Sequence, residues 1–138
     1  MPKKVAVDKA TERAMKKLGE ILAECRGERS LRQIAFPSGI AASQLQSIER
    51  GYLAPTADVY LKLLDNLRPD EKQSAKMDQL YMAIRKTPPP DVCELLINNP
   101  NLITILRAME DAKLSKKDMN SALALIAQMK IKGETDNG

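Results

Sequence analysis

Residues 30 to 67 read SLRQIAFPSGIAASQLQSIERGYLAPTADVYLKLLDNL, and this stretch restricts the fold more tightly than any other. Ser30 stands where a helix cap would, and Leu31, Ile34 and Ala35 then face one way. Pro37 has no N–H, so this first helix ends early or kinks. Gly39 falls where the chain must turn sharply, and glycine tolerates positive φ there. The next helix runs from about Ala41 to Arg50, with Leu45 and Ile48 on its buried side and Ile40 packing at its start. Gly51 ends it. Pro55 leads a third helix, with Ala57, Tyr60, Leu61, Leu64 and Leu67 inward. Two short helices about a glycine turn are the pattern of a helix-turn-helix, whose second helix lies in the DNA major groove.

The rest of the chain is consistent with an all-helical protein. Aromatic residues are only 3% of its 138 residues while apolar residues are 43%, so the core must be built from Leu, Ile, Met and Ala. No run is apolar for the length of a membrane span, and Met1 to Lys17 lacks a signal-peptide pattern, which predicts a soluble, cytoplasmic chain. Two cysteines, Cys25 and Cys93, and no histidine cannot make a four-ligand zinc site. Both fall on apolar helical stripes and read as buried thiols. The net charge of +4 lies wholly in residues 1 to 68, while residues 69 to 138 balance to zero. A basic half joined to a neutral half suits a nucleic-acid module with an interaction module.

Reading outward from the central stretch, residues 1 to 8 form a basic arm with Lys3 and Lys4. Asp8 caps a first helix with Ala14, Met15, Leu18, Ile21, Leu22 and Cys25 on one face, ended by Gly27. Residues 9 to 68 make the helix-turn-helix domain. A connecting helix spans 69 to 87, with Pro69 in its first turn and a stripe of Met77, Leu80, Tyr81 and Ile84. Thr87-Pro88-Pro89-Pro90 breaks it and marks the boundary. Residues 88 to 130 are a helical C-terminal region. There Asp91 caps a short helix, Leu102, Ile105, Leu106 and Met109 form one stripe, and Met119, Ala122, Leu123, Ile126 and Met129 another. Ser115 with Asp118 resembles a capping box, with Leu114 and Met119 as its hydrophobic staple. Residues 131 to 138 read as a frayed tail.

The strings SLRQIA, Gly39, QLQSIERG and Pro55 resemble the lambda-repressor-like family of helix-turn-helix proteins, also called Cro/C1-type or XRE. The resemblance covers about half the chain. It implies a lambda-repressor-like bundle followed by a helical extension, and a transcriptional regulator that binds double-stranded DNA. Such a regulator would be a homodimeric repressor on a roughly palindromic operator, paired through the C-terminal helices. Carried over position by position, Ala42, Ser43, Gln46 and Ser47 match groove-facing positions, and Gln44 a neighbouring one. Arg32, Gln33, Arg50 and Tyr52 match backbone-contacting places. Gly39 and Gly51 match structural glycines. Glu49 matches a structural acid that pairs with an arginine of the first helix, for which Arg26 is the candidate.

Helical geometry agrees with that carry-over. With Leu45 and Ile48 buried, Ala42, Ser43, Gln46 and Ser47 fall on the opposite side. Glutamine can bond bidentately to adenine, serine can donate or accept, and alanine can pack on a thymine methyl. No Arg or Lys stands on this face before Arg50, which predicts modest, A·T-leaning specificity helped by DNA shape. Phe36-Pro37-Ser38 replaces the polar residues usual before the turn glycine. That departure and the small, uncharged face motivate a second reading, a module that kept the fold and binds a protein. An antitoxin or a chromosome-organising protein are variants of the DNA reading. An enzyme is not expected: Ser115 fits a helix cap better than a Ser/Lys dyad, and no cofactor or metal site can be read.

Overall fold

A computed structural model of the chain describes residues 8–136. The expected arm therefore lies outside the described residues, apart from Asp8. Among the described residues every regular element is an α-helix. In order they are α1 (Lys9–Arg26), α2 (Leu31–Ala35), α3 (Ala42–Glu49), α4 (Ala57–Leu67), α5 (Glu71–Arg85), α6 (Pro90–Asn98), α7 (Asn101–Asp111) and α8 (Lys116–Asp136). None of these helices is long and apolar enough to cross a membrane. The chain divides into two compact units, one ending at Leu95 and one beginning at Leu96.

Local chemistry sets the helix ends of the first unit. Asp8 caps α1 by accepting the Thr11 amide at 2.7 Å. Ser30 and Gln33 form a reciprocal capping box on α2: the Gln33 amide donates to Ser30 Oγ, and the Ser30 amide donates to Gln33 Oε1. Asp70 and Gln73 repeat the device on α5. The start of α5 therefore belongs to Asp70, and Pro69 stands just before its cap. Thr56 caps α4, while Arg68 and Lys86 close α4 and α5 in the left-handed conformation.

One apolar core holds α1 to α5 together. Leu18 and Leu22 of α1, Leu45 and Ile48 of α3, Tyr60 and Leu63 of α4, and Met77 and Tyr81 of α5 are all buried in it. So α5 is a fifth member of the bundle, packed along α1, and not merely a connection. The expected face of α4 needs a correction. Leu63 is buried and Ala57 is exposed, because the buried face is centred on Tyr60, Leu63 and Leu67, and Tyr60 meets Tyr81 of α5. Those rings stack at 4.4 Å, and Tyr60 Oη donates to Asp78 Oδ1 at 2.7 Å. The phenol is therefore held protonated well above its usual range, first by burial and then by that bond.

Neither thiol is wholly buried. Cys25 packs half-buried against the core, and burial pushes its thiol up. Cys93 is half-buried and donates to the Pro88 carbonyl at 3.4 Å.

The compact unit continues past the triproline to Leu95. Pro90 is itself the first residue of α6, where a missing N–H costs nothing, so Asp91 lies in the first turn and is not the cap.

In the second unit, Ser115 and Asp118 make the expected reciprocal cap at 3.1 Å each way. Leu114 and Met119 line one cleft beside it. The segment from residue 131, expected as a frayed tail, is assigned to α8 as far as Asp136. Residues 137 and 138 lie outside the described residues. From Leu96 to Ile131 no residue is fully buried.

Candidate nucleic-acid interface

The α2–α3 pair is built around a buried hydroxyl. Pro37 removes the N–H that would have continued α2, and it stays at the surface. Ser38 turns inward and donates from Oγ to the Ile34 carbonyl at 2.7 Å. Asn66 of α4 donates to the same Oγ at 3.1 Å and to the Lys62 carbonyl at 2.8 Å. The Phe36-Pro37-Ser38 departure is thus a hydrogen-bonded stop that fastens α2 to α4. Gly39 follows with φ 73°, and the Ile40 amide returns to the Ala35 carbonyl at 3.1 Å.

From behind, α3 is held by both charge and shape. Arg26 donates twice to Glu49, from Nε to Oε2 and from Nη2 to Oε1, each at 2.8 Å. Its third nitrogen, Nη1, donates to the Arg29 carbonyl at 2.7 Å. This is the expected Arg26–Glu49 pair, a planar fork on a carboxylate that is largely shielded from water. Gly19 of α1 lies against the last turn of α3, so near that a Cβ there would overlap backbone atoms of Ile48 and Glu49. Gly51 has φ 78° and faces the Lys16 backbone, where a Cβ would stand at 2.8 Å. After α3, Arg85 donates from Nε and Nη2 to the Pro55 carbonyl at 2.9 and 2.8 Å, and from Nη2 to the Ala54 carbonyl. That arginine fixes the loop carrying Tyr52.

With Leu45 and Ile48 buried, the outward side of α3 is sparse. Ser43, Gln46 and Arg50 are exposed, Ser47 is half-buried beside them, and Ala42 and Gln44 are half-buried at the two edges. Ala41 occupies the N-cap and makes no side-chain cap, so the first amides of α3 have no side-chain acceptor there. Arg32, Gln33 and Tyr52 are exposed as well, although Gln33 Oε1 is engaged in the α2 cap. Every sequence-derived site residue thus lies on α2, on α3 or in the turns bounding α3.

Two further features bear on this surface. Phe36 is 87% exposed, and it borders an open groove of about 710 Å³ with Arg32, Ile40, Ala42 and Ser43. Gly19 and Arg85 position the site without belonging to it. Among the described residues there is no cluster of His, Cys, Asp or Glu that could hold a metal ion. Comparisons with protein-family models, with curated proteins and with solved structures returned no match.

Proposed function

We propose that the chain is a DNA-binding regulator of lambda-repressor-like type that presents α3 to the major groove. The observation that carries this reading is the outward face of α3. Ser43 and Gln46 are exposed on a short helix clamped from behind by Arg26 and Gly19, with exposed Arg32 and Arg50 near its ends. Rigid support of this kind is what base readout needs, because a hydrogen-bonding group displaced by an ångström no longer meets its base edge. Ser43 and Gln46 are the candidates for base edges, with Ser47, Ala42 and Gln44 at the margin. Arg32, Arg50, Gln33 and Tyr52 are the candidates for the phosphate backbone. The uncapped start of α3 adds amides that favour a phosphate. Repression on a palindromic site follows from this reading only if the chain pairs.

A second reading has one observation in its favour. The exposed Phe36 and its groove are apolar in a place where a phosphate-facing surface would be polar. A protein partner would use them.

Selection from a random duplex pool at two salt concentrations separates these. An enriched inverted repeat supports a regulator that reads bases. Retention without enrichment, falling with salt, leaves phosphate binding alone, as in a chromosome-organising protein. No retention at either salt sinks the DNA reading and favours the protein module.

A further inference from the structure

Phe36 is the one Phe of the chain, and among the described residues no large apolar side chain is more exposed. The backbone around it fixes that exposure. Ala35 before it and Ser38 beyond Pro37 are both buried, and the Ser38 hydroxyl is bonded to α2 and to α4. With its neighbours anchored on both sides, the ring cannot turn into the core. The Phe36 amide donates to the Arg32 carbonyl at 3.0 Å, so the two side chains leave the same face of α2 one turn apart.

The groove that Phe36 borders is apolar within and cationic at its rim. Phe36, Ile40, Ala41 and Ala42 supply the apolar part, and Arg32 and Ser43 stand with them. From Ser30 to Ala57 the one carboxylate is Glu49, which the Arg26 fork covers. The next in sequence, Asp58, is paired with Lys62 at 3.0 Å. A ligand suited to this surface therefore carries an apolar group on a negatively charged frame. An acidic protein segment would meet that requirement, but it leaves without use the small polar side chains of Ser43, Gln46 and Ser47, which continue outward along α3. Duplex DNA uses both. The thymine 5-methyl is the one apolar group that base edges present in the major groove, and phosphates run alongside it.

We infer that Phe36, together with Ala42, forms a pocket for the 5-methyl group of thymine and so selects thymine at one position of the bound duplex. The inference rests on the DNA reading and adds to it a specificity-determining residue from α2, outside the recognition helix. The chemistry of the base supports the pairing of roles. O4 and the methyl sit on adjacent ring carbons of thymine, so a base that accepts from the Ser43 hydroxyl at O4 carries its methyl beside Ala42 and the ring of Phe36. Arg32, one turn back on the same face, meets a phosphate of the adjoining backbone. The ring is already outward and held there, so binding has no loop to order.

Titration of the full chain with paired duplexes tests it. The probe is the duplex that selection enriches, or alternating dA and dT where none is enriched, each compared with a copy holding dU in place of dT. The members of a pair share phosphates and base pairing and differ in the methyl alone. Burying one methyl is worth about fourfold in affinity, so the unaltered chain should prefer the dT duplex by about that factor or more. Phe36→Ala should bind both members alike, with an unchanged salt dependence, because no charge is lost. The side chain is 87% exposed, so this substitution takes nothing from the core. Equal binding of the two members by the unaltered chain overturns the inference and leaves the DNA reading standing. A preference for dT that persists in Phe36→Ala does the same. Binding to neither member at low salt overturns the DNA reading and the inference with it, and gives the groove to an acidic protein segment.

Discussion

Gly19 of α1 lies directly against the carbonyl of Glu49 at the end of α3, with no room between them for a Cβ. Glycine in a helix interior ordinarily costs up to about 1 kcal/mol relative to alanine, so its replacement by alanine is usually a gain. Here the sign reverses. Gly19→Ala forces backbone apart and should destabilise the first unit by about 2 kcal/mol or more. Gly133→Ala in α8, where an added Cβ meets nothing, should be neutral or stabilising. Urea unfolding of both variants checks the pair, and equal effects would mean that α1 and α3 can separate freely.

Arg26→Ala leaves the Glu49 carboxylate shielded and unpaired, and should cost about 2 to 3 kcal/mol. Glu49→Leu with Arg26→Met should cost clearly less than the sum of the two single changes, because no orphan charge remains. A double-mutant cycle by chemical denaturation measures this. Additive losses would show that the fork contributes nothing.

On the DNA reading, Ser43→Ala with Gln46→Ala should weaken binding to a selected site by roughly 10- to 100-fold while barely changing binding to random duplex. Arg32→Ala or Arg50→Ala should weaken both and lower the salt dependence by about one counterion each. Titrations with the two duplexes at several salt concentrations distinguish base readout from phosphate attraction.

Ala41→Ser supplies the side-chain acceptor missing from the N-cap of α3, and should raise stability by roughly 0.5 to 1 kcal/mol. Thermal unfolding reads the gain. No change would mean that the first amides of α3 already have partners in solution.

Tyr60 makes stability depend on alkali. The folded chain holds the phenol proton more tightly than the unfolded chain, through burial and then the bond to Asp78. Its contribution is complete below the ordinary value of 10.0 and declines as pH rises beyond it. The slope should approach about 1.4 kcal/mol per pH unit. Tyr60→Phe should lose about 1 kcal/mol near neutrality, together with this share of the alkaline slope. Denaturation midpoints from pH 8 to 11 would show both.

The parts of the fold that are readable in the sequence share one property: their cause lies within a few residues. Ser30 as a cap, Ser115 with Asp118, the turn at Gly39 and the Leu45–Ile48 face of α3 are local patterns, and the structure has each of them. The Arg26–Glu49 pair spans 23 residues and follows from resemblance, not periodicity. What stays hidden depends on distant neighbours. Gly19 looks like an ordinary weak spot in a helix until α3 is laid against it. Leu63 and Ala57 both fit an amphipathic helix, and only the packing of α4 on α1 and α2 selects between them. Pro69 and Pro90 both suit a helix start, yet a competing Asp70 cap takes the role in one case only. The exposure of Phe36 is hinted at only by the Phe36-Pro37-Ser38 departure, since an aromatic residue beside an apolar run is expected to be covered.

The stacked pair of Tyr60 and Tyr81 has an optical consequence. The chain has no Trp and 3 Tyr, so its ultraviolet emission comes from these phenols alone. Two of them are sealed together in the core, and the third, Tyr52, is 73% exposed beside α3. The native chain therefore carries two separable reporters without a label. Near-ultraviolet dichroism of the stacked rings follows unfolding of the bundle, while quenching of Tyr52 by an added solute follows whatever comes to cover that surface.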